Sequence, residues 1–476
     1  MSAATDPWLD LRTAPLPRVL WIELTSRCPF DCIFCTRASL RGAGQHLDIA
    51  LYRQLLQSLD RPQLLRLNYA GESGHYPHLT EAVALAAATG AQVELVSALA
   101  SLKAERLQAA LEAGLNRLTV SLHTLQADRF EQIYRFASLD GLLVRLQQVL
   151  DWRERAAHPF TLDLAFVAME RNLDELPQLA EFAQAHGIEV LAVHPLIGRD
   201  PLPMGSTSEH RSDGAIAPNF AKRLRAAVQA AQQQAPAVSV QLSSHELQPA
   251  TDLGPHAQPW PWPLPAQARI AGCDQSPFDT VHILADGRVV VCEVTEQTAL
   301  GNLHQHGLQE IWQGEAYRQF RARHQAGSEP ACQRCVYKQA YRPGLPQHRL
   351  LPQQLSPQQL LHGWYPLDDC GALWSTDSAA LWLPRPFWGR QLRLRGQLAQ
   401  PGRADARFRV RINEAIVHEQ PWPAAEAVDL RLRLPDRPPR LLLQVECDGA
   451  SSANQQGTGA DVRTLGFALH GVEAGW

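Results

Sequence analysis

The feature that most constrains the fold of this chain is an alternation of short apolar runs with amphipathic stretches from residue 18 to residue 196. The runs are typical of buried strands, and the stretches between them have helical spacing of apolar residues. The strand candidates are RVLWIEL (18–24), LLRLNYA (64–70), QVELVSA (92–98), RLTVSLH (117–123), TLDLAFVA (161–168) and EVLAVHPL (189–196). Because strands that alternate with helices pair in parallel, the pattern predicts an α/β fold, a partial (β/α)6 barrel whose reactive face lies at the carboxyl ends of its strands.

Three cysteines lie close together directly after the first predicted strand, as Cys28-x3-Cys32-x2-Cys35. Three thiolates on one loop can hold three irons of a [4Fe-4S] cluster and leave the fourth iron open. A structural zinc site is the alternative, but zinc in such sites takes four protein ligands, and His46 is the nearest further candidate. The spacing therefore favours an iron–sulfur cluster.

Size and charge narrow the class of protein. The chain has 476 residues, more than one typical core, and its nine cysteines are better interpreted as metal ligands or catalysts than as disulfides. A net charge of −4 gives no broad electrostatic support for binding to nucleic acid or to an anionic membrane. The sequence has no run of eighteen apolar residues and no secretory signal pattern, so we expect a cytoplasmic protein that does not cross a membrane.

With Phe34 just before its third cysteine, the first motif resembles that of the radical S-adenosylmethionine (SAM) superfamily. The resemblance covers about the first 200 residues. It implies a cluster whose open iron binds SAM, and a reductive cleavage that yields a 5′-deoxyadenosyl radical. That radical abstracts hydrogen from a substrate. The resemblance also implies an electron donor of the flavodoxin or ferredoxin type.

Further positions match the same family. Gly71 and Glu72, after the second strand, resemble the glycine–glycine–glutamate motif that binds the SAM amino group. This chain has Ala70 in place of the first glycine and Ser73 in place of the usual proline. The other implied SAM contacts are Phe34 near the adenine, Ser97, Ser121 at the ribose hydroxyls, and His194 in the backbone region that touches the adenine, with His123 where many relatives have aspartate.

A second group of cysteines consists of Cys273, Cys292, Cys332 and Cys335. The segment TVHILADGRVVVCEV is typical of a β-hairpin with Asp286-Gly287 at its turn, and the last two cysteines form a Cys-x2-Cys pair. Spacing alone fits structural zinc or a closed iron–sulfur cluster. The region resembles the twitch domain, a shortened SPASM domain, which implies one auxiliary [4Fe-4S] cluster. Cys370 and Cys447 are interpreted as small buried apolar side chains.

Beyond about position 360, period-two patterning predicts an all-β sandwich with antiparallel strands. This region resembles a module fused to bacterial glycosyltransferases, which implies a link to sugars. Its Trp364, Tyr365, Trp374 and Trp382 are candidates for stacking on sugar rings, although aromatic residues in a β-sandwich are more often core. The expected division is a tail (1–16), the radical SAM core (17–215), a helix, strand and proline-rich connector (216–265), a small α+β auxiliary-cluster domain (266–345) and the β-sandwich module (346–476).

The leading functional hypothesis is oxidation of a sugar, aminocyclitol or nucleotide-sugar alcohol, with the auxiliary cluster as the electron acceptor. Such a reaction needs a proton acceptor beside the substrate carbon. Glu170 and Arg171, just past the fifth strand, are candidates by position only, and His75 and His123 compete with them. Two alternatives stay open: epimerisation or cross-linking of a peptide, and a catalytically idle glycan-binding scaffold.

Overall fold

The computed structural model of the chain describes most of its length. The described residues are 16–60, 62–99, 103–156, 159–196, 217–243, 269–273, 275, 277–278, 280–333, 335, 338–341, 349–350, 352, 355, 360–365, 371–384, 391–413, 415–434, 440–452 and 463–475. The proline-rich part of the predicted connector and Cys370 lie outside them. Within the described residues, no helix combines the length and the apolar character needed to cross a bilayer.

The first half of the chain forms a parallel sheet. Its strands are β1 (Val19–Ile22), β2 (Leu64–Arg66), β3 (Gln92–Ser97), β4 (Arg117–Ser121), β5 (Thr161–Ala168), β6 (Val190–Pro195) and β7 (Ser239–Leu242). Each strand pairs in parallel with the one before it, from β1 to β7. The six strands predicted for the barrel are therefore confirmed, and β7 extends the sheet by one strand.

Helices follow these strands and cover one face of the sheet. They are α1 (Arg37–Arg41), α2 (Ile49–Gln57), α3 (Leu79–Ala87), α4 (Ala104–Glu112), α5 (Ala127–Tyr134), α6 (Leu139–Arg155), α7 (Leu176–Ala185) and α8 (Pro218–Gln234). Local sequence explains where some of them begin: the Asp48 carboxylate caps α2 by accepting from the Ala50 N–H at 2.8 Å. The helices pack on strand residues such as Leu20 and Val93, which are fully buried.

The second cysteine group lies in a region that partly continues the same sheet and partly forms a separate two-stranded sheet. Its elements are β8 (Arg269–Cys273), β9 (Thr280–Ile283), β10 (Arg288–Val290), β11 (Gly301–Asn302), α9 (Leu308–Gln313), α10 (Glu315–Gln325), α11 (Pro330–Gln333) and β12 (Lys338–Tyr341). The predicted hairpin is present as β9 and β10, with Gly287 at a φ of 81° in its turn. Because β9 also pairs in parallel with β1, the hairpin extends the barrel sheet at its first strand. The predicted domain boundaries stay predictions.

The last part of the chain is antiparallel β-structure. Its strands are β13 (Arg349–Leu350), β14 (Leu360–Trp364), β15 (Leu373–Pro384), β16 (Gln391–Leu398), β17 (Arg407–Ile412), β18 (Ala415–Pro421), β19 (Glu426–Arg433), β20 (Arg440–Asp448) and β21 (Phe467–Gly475). The start of β15 pairs with β21 and the rest of it pairs with β20, so one strand joins two groups of strands. Side chains from both groups form one core, separate from the barrel core, and Cys447 is fully buried in it as predicted.

This β-module contacts the barrel at the edge where the parallel strands begin. Arg18, just before β1, donates through Nη1 to the Ser378 carbonyl at 3.0 Å. Gln63, just before β2, donates to the Thr376 hydroxyl at 3.4 Å. The cysteine loop follows the other end of β1. The module therefore contacts the edge of the sheet opposite to the first cysteine group.

Candidate active site

The first three cysteines lie on the loop between β1 and α1, at the carboxyl edge of the sheet. Cys28 and Cys32 are half-buried and Cys35 is exposed. The Cys35 N–H donates to the Cys32 carbonyl at 3.0 Å, so the loop turns sharply between the second and third thiols. Burial raises the pKa of Cys32, and the nearby thiols of Cys35 and Cys28 raise it further. The three thiols are therefore close enough to interact electrostatically.

These thiols suit a bound cationic cluster. Burial raises the pKa of Cys28 to about 11, and a hydrogen bond with the Phe30 backbone and the charge of Arg37 only partly offset this. Bound iron would stabilise the thiolates that burial disfavours. In the part of the chain that the structure describes, no group of three or more His, Cys, Asp or Glu side chains is placed to hold a single metal ion.

The predicted Gly71–Glu72 motif is bonded directly to the cysteine loop. The Glu72 N–H donates to the Arg27 carbonyl at 2.9 Å. A Cβ atom on Gly71 would lie 2.1 Å from the Thr25 carbonyl oxygen and 2.8 Å from that of Arg27. Only glycine allows the two loops to come this close. The motif and the cysteine loop therefore form one rigid unit.

The Glu72 carboxylate is buried and held from three sides. It accepts hydrogen bonds from the Ser97 hydroxyl at 2.8 Å, the Ala98 N–H at 2.9 Å and the Gly74 N–H at 3.2 Å. Burial raises its pKa, and these donors act in the opposite direction. Through its hydrogen bond, Ser97 therefore orients Glu72, a role that the sequence did not indicate. Leu99, two residues after Ser97, has a φ of 55°, a strained value for a non-glycine residue.

Aromatic rings surround the base of the cysteine loop. Phe34 meets the His123 ring edge-on with centroids 5.1 Å apart, and His123 stacks on Tyr134 at 5.1 Å. Burial lowers the pKa of His123 to about 3, so the ring is neutral. Its Nδ1 accepts from the Val167 N–H at 3.2 Å, and the Tyr134 hydroxyl donates to the Ser121 carbonyl at 2.6 Å. The structure thus brings Phe34 and Ser121 to the same end of the sheet.

The remaining predicted residues lie further along the sheet. The Nδ1 atom of His194, near the end of β6, is 2.6 Å from the Ser243 hydroxyl. Glu170 forms an ion pair with Arg223 of α8, and Arg171 is exposed. The Glu170 carboxylate is therefore already engaged by a cation on a neighbouring helix. Both catalytic candidates stay predictions.

The second cysteine group draws its thiols from three separate elements. Cys273 ends β8, Cys292 follows β10, and Cys332 lies in α11 shortly before Cys335. Burial raises the pKa of Cys332 strongly, and the thiols of Cys292, Cys273 and Cys335 raise it further, so the four thiols are neighbours. The Nδ1 atom of the buried His324 lies 3.2 Å from the Cys332 sulfur. The set fits a group with four protein ligands.

Family models match both parts of this site. The radical SAM superfamily matches residues 22–193, and SPASM, an iron–sulfur cluster-binding domain, matches residues 273–336. The chain therefore contains a radical SAM domain, followed by a SPASM domain. Its cofactors are accordingly SAM and a [4Fe-4S] cluster in the radical SAM core, together with auxiliary iron–sulfur in the SPASM region. All four auxiliary cysteines fall within the SPASM match, which favours iron–sulfur over zinc at this site.

Two groups of enzymes are similar in sequence. The PqqA peptide cyclase of Rhodopseudomonas palustris is 28% identical over 183 residues, which cover 38% of this chain and 47% of that protein. The GTP 3′,8-cyclase 1 of Pseudomonas aeruginosa is 25% identical over 305 residues, which cover 60% of this chain and 82% of that protein. The chain thus spans about half the length of the peptide cyclase and most of the GTP cyclase.

A similar fold occurs in SuiB of Streptococcus suis. The crystal structure of SuiB bound to its precursor peptide SuiA has a TM-score of 0.53 and 14% sequence identity, and the match covers 69% of this chain and 73% of SuiB. The crystal structure of SuiB bound to SAM has a TM-score of 0.50, also at 14% identity, with 67% of this chain and 72% of SuiB covered. At this identity the likeness shows a shared fold.

A buried ionic network joins the radical SAM core to the SPASM region, and the sequence did not indicate it. Arg41, at the end of α1, donates to the Glu296 carboxylate at 2.8 Å. Its Nε lies 3.6 Å from the Glu23 carboxylate at the end of β1. Glu23 also accepts hydrogen bonds from the N–H groups of Ala70, just before the Gly71–Glu72 motif, and of Ala285, in the turn between β9 and β10. Its carboxylate therefore links these two segments. Glu296 follows Cys292 by four residues, so this network fixes one cysteine loop relative to the other.

Charged side chains also cross the concave face of the radical SAM core. Trp21, Arg66, Glu94 and Arg117 lie at one level of β1 to β4, on the face opposite to the helices. The Arg66 guanidinium lies 4.6 Å from the centre of the Trp21 ring and 2.8 Å from the Glu94 carboxylate. Arg117 is 3.7 Å from Glu94 and 3.4 Å from Asp163 of β5. The interior of the barrel is therefore polar, with paired charges.

Proposed function

We propose that this chain is a radical SAM oxidoreductase that acts on a small, hydroxyl-bearing substrate inside the barrel. The observation that carries the proposal is the bonding of the Gly71–Glu72 motif to the loop that bears Cys28, Cys32 and Cys35. When bound, the cofactors supply a 5′-deoxyadenosyl radical for hydrogen abstraction and an auxiliary electron acceptor for a net two-electron oxidation. The chain's own residues then have three tasks: to hold the clusters, to orient SAM and to select the substrate.

Holding and orienting fall to residues on the carboxyl edge of the sheet. Cys28, Cys32 and Cys35 would hold the first cluster through three thiolates. Glu72 would accept hydrogen bonds from the SAM ammonium, because a carboxylate has lone pairs beyond those used by its three donors. The Gly71 contact keeps this carboxylate at a fixed distance from the cysteine loop.

The auxiliary cysteines would hold the second cluster by four protein ligands. A closed ligand set leaves no iron free for substrate, which favours electron transfer over substrate binding. The burial of Cys292 and the His324 ring beside the Cys332 sulfur are features that tune the potential of such a cluster. These features support an oxidation in which an electron leaves the substrate.

The interior of the barrel supports a polar substrate. Arg66, Glu94, Arg117 and Asp163 present two cations and two carboxylates on the concave face. Such groups bind hydroxyl and amino groups through hydrogen bonds. An apolar substrate would displace the water around these groups without replacing its hydrogen bonds. A sugar, aminocyclitol or nucleotide-sugar alcohol suits this surface. The GTP 3′,8-cyclase relative is named for a nucleotide substrate, which is also polar.

Peptide modification is the second candidate. The observation in its favour is the similarity to PqqA peptide cyclases, which are named for a peptide substrate. SuiB, whose fold is similar, has been crystallised with a precursor peptide. A peptide substrate would lose hydrogen to the same 5′-deoxyadenosyl radical, so the two candidates differ in the substrate and not in the cofactors.

The first test is anaerobic reconstitution followed by analysis of iron and sulfide. We expect about eight irons per chain, as two cubes require. Addition of dithionite and SAM should then yield 5′-deoxyadenosine. Material that stays colourless, or that leaves SAM intact after reduction, would contradict the proposal.

The second test separates the substrate classes. Sugar alcohols, aminocyclitols and nucleotide sugars that carry deuterium at the carbinol carbon should transfer it to 5′-deoxyadenosine. Deuterated peptides form the parallel series. Transfer from peptides alone would support the second candidate and contradict the first.

A further inference from the structure

Arg321, on α10, is a cation buried inside the SPASM region. Its side chain is fully buried, and burial lowers its pKa to about 10, which leaves it charged at neutral pH. A buried charge costs free energy unless an opposite charge compensates it. Among the residues that the structure describes, no carboxylate forms an ion pair with this guanidinium, and its Nη2 atom has no hydrogen-bond partner. The described protein groups therefore leave this positive charge uncompensated.

Neutral groups hold the guanidinium in place. Its central carbon lies 4.0 Å from the centre of the Trp312 ring and 4.7 Å from that of Tyr317. Its Nε donates to the Pro277 carbonyl at 2.8 Å, and its Nη1 donates to the Trp312 carbonyl at 2.9 Å. Ring faces and carbonyl oxygens carry partial negative charge, so they orient a cation without cancelling its charge. These contacts fix where the charge lies.

Segments that carry the auxiliary cysteines surround this guanidinium. Pro277, whose carbonyl accepts from it, follows Cys273 by four residues. The Tyr317 hydroxyl donates to the Val290 carbonyl at 3.3 Å, two residues before Cys292. Burial raises the pKa of Tyr317, and the Cys292 thiol raises it further. The ring that contacts the guanidinium is therefore also near one of the four thiols.

The same helix brings the guanidinium near a third auxiliary cysteine. Arg321 and His324 are three residues apart on α10, so their side chains are neighbours on the helix surface. The Nδ1 atom of His324 lies 3.2 Å from the Cys332 sulfur. Burial raises the pKa of Cys332 and the other three auxiliary thiols raise it further, so the thiols form one group. The uncompensated cation thus lies beside that whole group.

Two carboxylates lie near the same thiols. Burial raises the pKa of Cys292, and Glu293 raises it further. Glu329 acts in the same direction on Cys332, but Arg323 pairs with Glu329 at 2.9 Å. Neither carboxylate pairs with Arg321. The charge that would compensate Arg321 must therefore come from what the four thiols hold.

We propose that the Arg321 guanidinium is the counter-ion of the auxiliary iron–sulfur cluster and raises its reduction potential. Four thiolates give such a cluster an excess of negative charge, and reduction adds one electron without forming or breaking a bond. A fixed buried cation stabilises the reduced form more than the oxidised form. The benefit for turnover rests on the proposed function, because a higher potential favours a cluster that accepts an electron from the substrate.

The decisive variant is Arg321→Met in the reconstituted full chain, since methionine fills much of the space without a charge. Spectroelectrochemical titration should show that the equilibrium constant for reduction of the auxiliary cluster falls at least tenfold, which is about 59 mV for one electron. Arg321→Lys keeps the charge, so this constant should stay within threefold of wild type. The potential of the first cluster should stay within the same limit in both variants.

The matched control is Arg318→Met on the same helix, because Arg318 is already paired with the exposed Glu315 at 2.7 Å. This variant should also keep the auxiliary constant within threefold of wild type. An unchanged potential in Arg321→Met, or an equal shift in Arg321→Lys or Arg318→Met, would overturn the inference. Loss of the auxiliary iron from both Arg321 variants would overturn it too, because the residue would then act through folding.

The proposed function can fail separately from this inference. The potentials are measured without substrate, so they report on Arg321 alone. A shifted auxiliary potential in Arg321→Met, together with a wild-type protein that oxidises no hydroxyl-bearing substrate, would contradict the proposed function and leave the counter-ion role intact.

Discussion

The two cysteine groups of this molecule differ in how they are built. The first takes three thiols from a single loop, between Cys28 and Cys35, and leaves its last thiol exposed. The second takes four thiols from β8, the end of β10 and the segment at α11, and Cys292 is 9% exposed. One site is local in sequence and open to its surroundings, whereas the other exists only once distant elements have packed.

This difference explains what each site requires of the fold. The first group needs only the short loop that follows β1 and the close contact of Gly71 with that loop. The second needs a buried scaffold: the Arg321 guanidinium lies 4.0 Å from the centre of the Trp312 ring and 4.7 Å from that of Tyr317, and it donates to the Pro277 carbonyl at 2.8 Å. An open site suits exchange with a cosubstrate and a reductant, and a closed site suits storage of an electron.

The largest expected effect comes from removing thiols at either site in turn. Cys28→Ala with Cys35→Ala should lower the iron content from about eight to about four per chain and abolish formation of 5′-deoxyadenosine. Cys332→Ala with Cys335→Ala should lower the iron content equally but retain SAM cleavage by dithionite. Iron analysis and product chromatography measure both.

These two double variants test whether the two cysteine sites are functionally separate. If the Cys332 and Cys335 variant also failed to cleave SAM while its first cluster kept its absorption, the two sites would not be functionally separate. Retained turnover of substrate in that variant would instead limit the second site to folding.

The next effect concerns the buried network that joins the two cysteine loops. Arg41→Gln leaves the carboxylates of Glu23 and Glu296 buried without their cation. Removing one partner of a buried ion pair costs about 3–5 kcal/mol, so urea unfolding of the variant should show a loss of this size. The double variant Arg41→Gln, Glu296→Gln should recover part of it. A loss below about 1 kcal/mol, as at exposed pairs, would show that the network does not couple the regions.

These contacts also mark the limit of what the sequence could predict. Period and spacing predicted the strands and the position of the three cysteines on the loop after β1, because both depend on neighbours in sequence. Arg41 and Glu296 are 255 residues apart and their pair arises from the hairpin pairing with β1, which no local pattern reveals. The same holds for Arg66, Glu94 and Arg117, which meet only when parallel strands align in register.

A smaller effect is expected from Gly71→Ala. The added Cβ would meet the Thr25 carbonyl at 2.1 Å and push the motif away from the cysteine loop. Overpacking of this kind costs about 1–3 kcal/mol, so we expect the affinity for SAM to fall about tenfold or more. Gly307→Ala is the matched control, because its φ is −68° and no atom lies within 4 Å of the new Cβ. Equal SAM affinity in both variants, measured by equilibrium dialysis, would contradict a role for this close approach.

The smallest effect concerns the auxiliary site alone. The His324 ring is buried, and burial lowers its pKa to about 4, so it is neutral and able to donate one N–H to the Cys332 sulfur 3.2 Å away. A hydrogen bond to sulfur stabilises the additional electron of a reduced cluster and raises its potential. Replacing it with His324→Phe should lower the auxiliary potential by about 40 mV, since a hydrogen bond contributes about 1 kcal/mol and one electron is transferred. Spectroelectrochemical titration of the two clusters measures this, and the potential of the first cluster serves as the internal control. A shift of both potentials would mean that the two sites are less independent than their separate construction indicates.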